Sequence, residues 1–100
     1  MKASKQFGLT ESDRSILIEL LQRFDLKARV FGSRVRGKEN EFSDLDLCLD
    51  GTVSLDILAQ LQESLEASPL PIIVDVSRYE DLSPTFQALV DQEGVLIPEE

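Results

Sequence analysis

Two aspartates, Asp44 and Asp46, end a polar stretch that begins at Gly32 and Ser33. In an extended chain successive side chains point to opposite faces, so the D-x-D spacing puts both carboxylates on one face. Two like charges about 4 Å apart repel by roughly 4 kcal/mol at an effective dielectric near 20. That repulsion calls for a cation between them, and Mg²⁺ prefers carboxylate oxygens and retained waters. At the other end of the stretch, Gly32 lets the backbone come close to a ligand, while free N–H groups and the Ser33 hydroxyl can bond phosphate oxygens. A third acid, Asp75, lies inside the apolar run Ile72-Ile73-Val74-Asp75-Val76, where an ionised group is costly to bury unless paired or bound to a cation. If that run lies beside Asp44–Asp50, Asp75 joins the other two, either binding a metal beside an attacking group or accepting that group's proton. Arg34 and Arg36 alternate with Val35 in the same stretch, and either could neutralise a transferring phosphate through bidentate hydrogen bonds. Arg36, next to Gly37, is the favoured one.

Each of these features also has a plainer reading. An alternating leucine strand can simply show its aspartates to water, a Gly-Ser pair after a strand can be an ordinary turn, Asp75 can be an arginine's partner or an edge residue, and loop arginines can be solvated. The combination, spread over one short stretch and one strand, is what points to a phosphate and metal site.

The elements that would position these groups follow from periodicity. Ile16, Leu17, Leu20, Leu21 and Phe24 recur every three or four residues behind Thr10, which is placed as an N-cap, and so predict a helix over 10–24. Leu26 to Phe31 alternates as a short strand ended by Gly32. Residues 33–43 read as a loop, with room for one helical turn. Asp44 to Asp50 alternates strictly, with Leu45, Leu47 and Leu49 on one face and Asp44, Asp46, Cys48 and Asp50 on the other, a half-buried strand. Ser54 caps a helix to about Ala67 with Ile57, Leu58, Leu61 and Leu65 as its inner stripe. Ser68-Pro69-Leu70-Pro71 is a stiff connector to a more fully buried strand over 72–76. Ser83-Pro84 opens a helix that stops at Gly94, and Val95 to Ile97 adds a last strand. This order predicts an α+β fold, a small mixed β-sheet packed by helices. Residues 1–8 are polar and read as loose, and the whole of 1–100 reads as one domain.

Composition excludes several classes of function. An apolar content of 42% with 29% charged residues fits a globular chain, and no apolar run approaches the roughly 20 residues of a membrane span. The first residues lack the apolar core of a signal peptide, and one cysteine, Cys48, allows no intrachain disulfide, so a cytoplasmic home is the simplest expectation. Nineteen acidic against ten basic residues leave a net charge of −9, which disfavours direct nucleic-acid or membrane binding. The absence of histidine removes histidine-based acid–base chemistry and leaves zinc poorly supplied. Cys48 reads as a small packing residue.

Gly32-Ser33, ten residues, Asp44-x-Asp46 and a later Asp75 on an apolar strand together resemble the signature of the nucleotidyltransferase superfamily related to DNA polymerase beta. The string G-S-R-V-R-G…S-D-L-D-L is most similar to the minimal nucleotidyltransferases (MNT proteins) encoded beside HEPN partners. The resemblance implies the minimal nucleotidyltransferase fold, with Gly32 and Ser33 holding the phosphates of ATP, Asp44 and Asp46 carrying two Mg²⁺ ions, and Asp75 completing the triad. It further implies an antitoxin that adds AMP to a tyrosine of a small helical HEPN ribonuclease toxin. Val35 departs from the pattern, since many relatives have a small residue there, and the chain has no room for the extra acceptor or base-binding domain of larger members.

Two functions follow. One is a minimal transferase whose acceptor hydroxyl is presented by a partner, for which the net negative charge suits a basic surface. The other is a weak or inactive nucleotide-binding module that neutralises its partner by binding alone.

Overall fold

The computed structural model describes residues 7–37 and 44–98. In chain order the elements are α1 (Glu11–Arg23), β1 (Ala28–Phe31), the single turn α2 (Ser33–Arg36), β2 (Leu45–Leu49), α3 (Leu55–Glu66), β3 (Val74–Arg78), a 3₁₀ turn (Tyr79–Asp81), α4 (Pro84–Glu93) and β4 (Val95–Ile97). The expected α+β class is the one observed, with a four-stranded mixed sheet in the order β3-β2-β1-β4. β1 runs antiparallel to both β2 and β4, whereas β2 and β3 are parallel. Parallel neighbours need a long crossover connection, and α3 supplies it.

Caps at the helix starts follow the expected chemistry. Thr10, Ser54 and Ser83 each accept a hydrogen bond from the main-chain N–H three residues on, at 3.0, 3.2 and 3.3 Å, satisfying amides that the helix leaves orphaned. Pro84 stands in the first turn of α4, where a missing N–H costs nothing.

The sheet has two unlike faces. Ala28, Val30, Leu45, Leu47, Leu49, Val74, Val76 and Ile97 point to one side and form a continuous core with Leu17, Leu20 and Leu21 of α1 and Leu61 and Leu65 of α3. Leu17, Leu21, Leu45, Leu47, Leu49, Leu61, Val30 and Ile97 are essentially inaccessible to solvent, and each such burial stabilises by about 1.5–3 kcal/mol. The opposite face carries Asp46, Cys48, Asp75 and Ser77, and α4 covers only part of it through a small cluster of Phe31, Cys48 and Val90 with Leu82 and Leu89. One face therefore stabilises the sheet and the other is left for the site.

Several boundaries differ from the sequence reading. The first strand begins at Ala28, because Asp25 adopts φ 58° and the Leu26 N–H turns back to the Leu21 carbonyl at 2.9 Å, closing α1 in a Schellman-type cap. β3 spans 74–78 instead of 72–76 and is an edge strand, half buried instead of fully so; Ile73 is 69% exposed. Pairing fixes this frame, since Leu45 lies opposite Val74. The polar face of β2 is not uniformly wet either, for Cys48 is buried beneath α4. The last of residues 1–8 are held in place: Phe7 packs against the core and its carbonyl accepts from Arg34 Nη1 at 2.8 Å. Residues 38–43 of the expected loop and 1–6 of the leader lie outside the described residues.

Candidate active site

Asp46 and Asp75 are direct register partners across the parallel β2–β3 pair. Partners on adjacent strands about 4.8 Å apart point to the same face, so the two carboxylates share one polar ledge. They line a cleft of about 150 Å³ together with Phe31, Ser77, Leu82 and Phe86. Asp46 is half buried while Asp75 is exposed on the edge strand. Asp75 is therefore not the costly buried charge that its apolar run leads one to expect. What marks it is its neighbour.

Burial, then the charges of Asp75 and Asp44, push the Asp46 carboxyl above its ordinary value of 3.8. Desolvation disfavours the charged form and like charges add to the effect, so the free protein holds this group at an electrostatic cost. Asp44, just ahead of β2, is exposed and close enough to Asp46 to be felt in this way, but it does not line the cleft. Among the described residues no three acidic, histidine or cysteine side chains converge tightly enough to hold one ion together. The structure thus brings two of the three expected acids together and leaves the third at the rim.

Gly32 connects the phosphate end of the stretch to the acids. It follows β1 directly, and Phe31 is the register partner of Asp46. Its φ of 90° with ψ of −154° belongs to a region open essentially to glycine alone. A Cβ at this position would stand 2.8 Å from Asp46 Oδ2. Only a glycine lets the chain pass this close to the carboxylate, which forms a cradle that any larger residue would fill. Ser33, half buried, opens the α2 turn immediately beyond.

The two loop arginines have separate duties. Arg34 is buried, 4% exposed, and its guanidinium anchors the Phe7 carbonyl on the core side. Arg36 is 47% exposed on the site side, 3.8 Å from Glu93 Oε2. The same Glu93 oxygen accepts the Gly32 N–H at 3.3 Å. Glu93 is a residue the sequence reading missed. It lies 61 positions from Gly32 at the end of α4, and no local pattern announces so distant a partner.

The donor set suits a hard cation: carboxylate oxygens, repelling one another, beside a glycine-lined approach. Cys48 is no competitor for chemistry, because burial and then the nearby Asp50 raise its thiol pKa. Arg78 braces the corner between β3 and α4, bonding Asp81 Oδ2 and Oδ1 at 2.7 and 3.1 Å and the Val53 carbonyl at 3.2 Å. Tyr79 Oη donates to Asp91 Oδ2 at 2.9 Å and its carbonyl accepts from Gln87 Nε2 at 2.9 Å, tying the 3₁₀ turn to α4. These bonds fix the cleft wall that α4 contributes. Among the described residues no helix is long and apolar enough to cross a membrane.

Comparison with known proteins agrees with this geometry. The model of the family "Polymerase beta, Nucleotidyltransferase" matches residues 17–100. The "probable protein adenylyltransferase MntA" of Haemophilus influenzae is 33% identical over 103 residues, covering 99% of this chain and 90% of that protein. The solved structure of a candidate minimal nucleotidyltransferase superposes with a TM-score of 0.67 at 29% identity, covering 94% of this chain and 98% of the other. A toxin–antitoxin crystal structure with AMP-PNP contains a chain that matches with a TM-score of 0.65 at 25% identity, covering 83% of this chain and 70% of that one. The chain belongs to the polymerase beta nucleotidyltransferase family and, within it, to the minimal nucleotidyltransferases.

Proposed function

We propose that this chain, acting as a single minimal domain over 1–100, transfers AMP from ATP to a hydroxyl of a partner protein, and that the partner is a HEPN toxin for which it serves as antitoxin. The observation that carries this reading is the Asp46–Asp75 register pair beside the Gly32 cradle. Its support from relatives is the adenylyltransferase description of the Haemophilus influenzae protein and the ATP analogue in the toxin–antitoxin structure.

In this reading Asp44, Asp46 and Asp75 would hold two Mg²⁺ ions. Such ions, when bound, stabilise both the attacking and the leaving oxygen of an in-line displacement. The chain's own residues do the rest. Gly32 and Ser33 bind the triphosphate through main-chain N–H groups and the Ser33 hydroxyl, and Arg36 offers its guanidinium to the phosphate charge. Asp75, exposed on the edge strand, accepts the proton of the acceptor hydroxyl. The acceptor oxygen forms a bond to the α-phosphorus, the bond from that phosphorus to the bridging oxygen breaks, and pyrophosphate leaves.

The test is to incubate the purified chain with Mg²⁺, α-labelled ATP and the proposed HEPN partner. Label should pass to that protein and vanish in the double variant Asp44→Asn, Asp46→Asn. A double variant that binds and neutralises the partner as well as the parent does, with no label transferred by either, would overturn transfer in favour of neutralisation by binding.

A further inference from the structure

The groups assigned so far engage phosphates and metal ions and leave the nucleobase without a contact. The cleft that holds the two carboxylates also has an apolar wall. Phe86, in the first turn of α4, is 49% exposed, and its ring lies tilted at 55° against Phe31 with centroids 6.2 Å apart. Phe31 is buried and stands directly before Gly32. Leu82, just ahead of α4, is partly buried in the same cluster. The part of the Phe86 ring that rests on Phe31 contributes to the fold, whereas the part left in water contributes nothing to it.

The register places this wall beside the phosphate approach. Phe31 is the partner of Asp46, and Asp46 is the partner of Asp75, so the glycine approach, the carboxylates and the aromatic pair border one another. With the triphosphate on Gly32 and Ser33 and the α-phosphate over Asp46, the nucleoside is joined to the phosphate that lies at the mouth of the cleft. The cleft, about 150 Å³, falls short of the roughly 300–1,000 Å³ that enclose a drug-sized ligand, so it receives the base alone and leaves the sugar and phosphates outside. A cationic side chain is disfavoured there, because the carboxylates are assigned to metal ions, and a flat neutral ring suits the exposed face of Phe86. Ser77 is the only neutral polar side chain among those lining the cleft, and a hydroxyl both donates and accepts, so it suits either kind of base edge.

We infer that Phe86 is the base-stacking residue of the nucleotide site, with Leu82 beside it and Ser77 in the same cleft. The inference rests on the reading that the triphosphate is held at Gly32 and Ser33, and it adds the residue that takes up the other end of the nucleotide. Stacking of this kind supplies affinity without reading the base, since every base has a π-face.

The experiment measures binding alone, by titration calorimetry of the full-length parent, Phe86→Ala and Phe86→Trp with Mg-ATP and with magnesium tripolyphosphate, which carries three linked phosphates and no base. Phe86→Ala should bind Mg-ATP about tenfold more weakly than the parent and tripolyphosphate within about twofold of it, and Phe86→Trp should restore the ATP affinity. The chain has no tryptophan of its own, so the emission of Phe86→Trp reports on this position alone and should change with Mg-ATP but not with tripolyphosphate. Equal weakening of both ligands in Phe86→Ala would make the ring a support for the loop and overturn the inference, as would an unchanged ATP affinity. If Phe86→Ala does not fold, the tryptophan variant decides, and emission indifferent to bound Mg-ATP overturns the inference. A parent that binds neither ligand overturns the phosphate-site reading together with the inference, whereas a parent that binds Mg-ATP through a site indifferent to Phe86 overturns the inference alone.

Discussion

The Gly32 N–H donates to Glu93 Oε2 at 3.3 Å, and the same oxygen lies 3.8 Å from Arg36 Nε. A carboxylate from the end of α4 thus engages two of the groups proposed to take up the triphosphate. The protein's own anion stands where the substrate's is expected, so the two compete. Glu93→Gln keeps an oxygen for the Gly32 N–H and removes the charge. Its affinity for Mg-ATP, measured by titration calorimetry, should rise by about fivefold, equivalent to about 1 kcal/mol for a partly exposed ion pair. Weaker binding would show that Glu93 holds the loop in its binding shape.

Gly32→Ala should separate catalysis from folding. The added methyl meets Asp46 Oδ2 at 2.8 Å and the backbone must leave a glycine-only region, a strain of about 1–3 kcal/mol. Circular dichroism should report a folded protein with a lowered melting temperature. AMP transfer should fall at least about tenfold, because relieving the clash displaces either the Asp46 carboxylate or the loop from its place beside the other.

The Asp46 carboxyl makes stability depend on pH in a defined direction. Its folded pKa is raised, by burial first and then by Asp75 and Asp44, so its contribution is fully present below the ordinary value of 3.8 and is lost as pH rises through the folded value. Above that window the ionised group destabilises the metal-free protein. Asp46→Asn should therefore be more stable than the parent at neutral pH in the presence of a chelator, with the difference shrinking as the pH falls through the raised folded value and absent below 3.8. Urea midpoints measured across this range check the prediction, and a variant less stable than the parent at neutral pH would contradict it.

Leu47 is the complementary control. It lies next to Asp46 in sequence but points to the opposite face, where it is fully buried. Leu47→Ala should cost about 2–5 kcal/mol by chemical denaturation, a large share of the roughly 5–15 kcal/mol of a typical domain. Binding of Mg-ATP by the fraction that stays folded should be unchanged.

Much of this was legible in the sequence because it depends on local rules. Thr10, Ser54 and Ser83 declare their helices, and the period-2 pattern of Asp44–Asp50 assigns Leu47 and Asp46 to opposite faces before any pairing is known. The likeness around Gly32, Asp44 and Asp46 led to the family. What escaped were relationships set by tertiary packing. Ile72-Ile73 reads like a buried strand, yet the parallel register with β2 begins at Val74 and leaves Ile73 in solvent. Glu93 reaches Gly32 only because β4 pairs with β1 and brings the end of α4 beside the loop. Arg34 and Arg36 are alike in sequence, and only the handedness of one helical turn sends the first to the core side and the second to the site.

The most direct test of the central claim is the intact mass of the proposed HEPN partner after incubation with this chain and Mg-ATP. The account predicts a gain of one or more adenylyl groups, mapped by fragmentation to a tyrosine, and no gain with Asp46→Asn. An unmodified HEPN protein that is nonetheless bound and neutralised by this chain would contradict it.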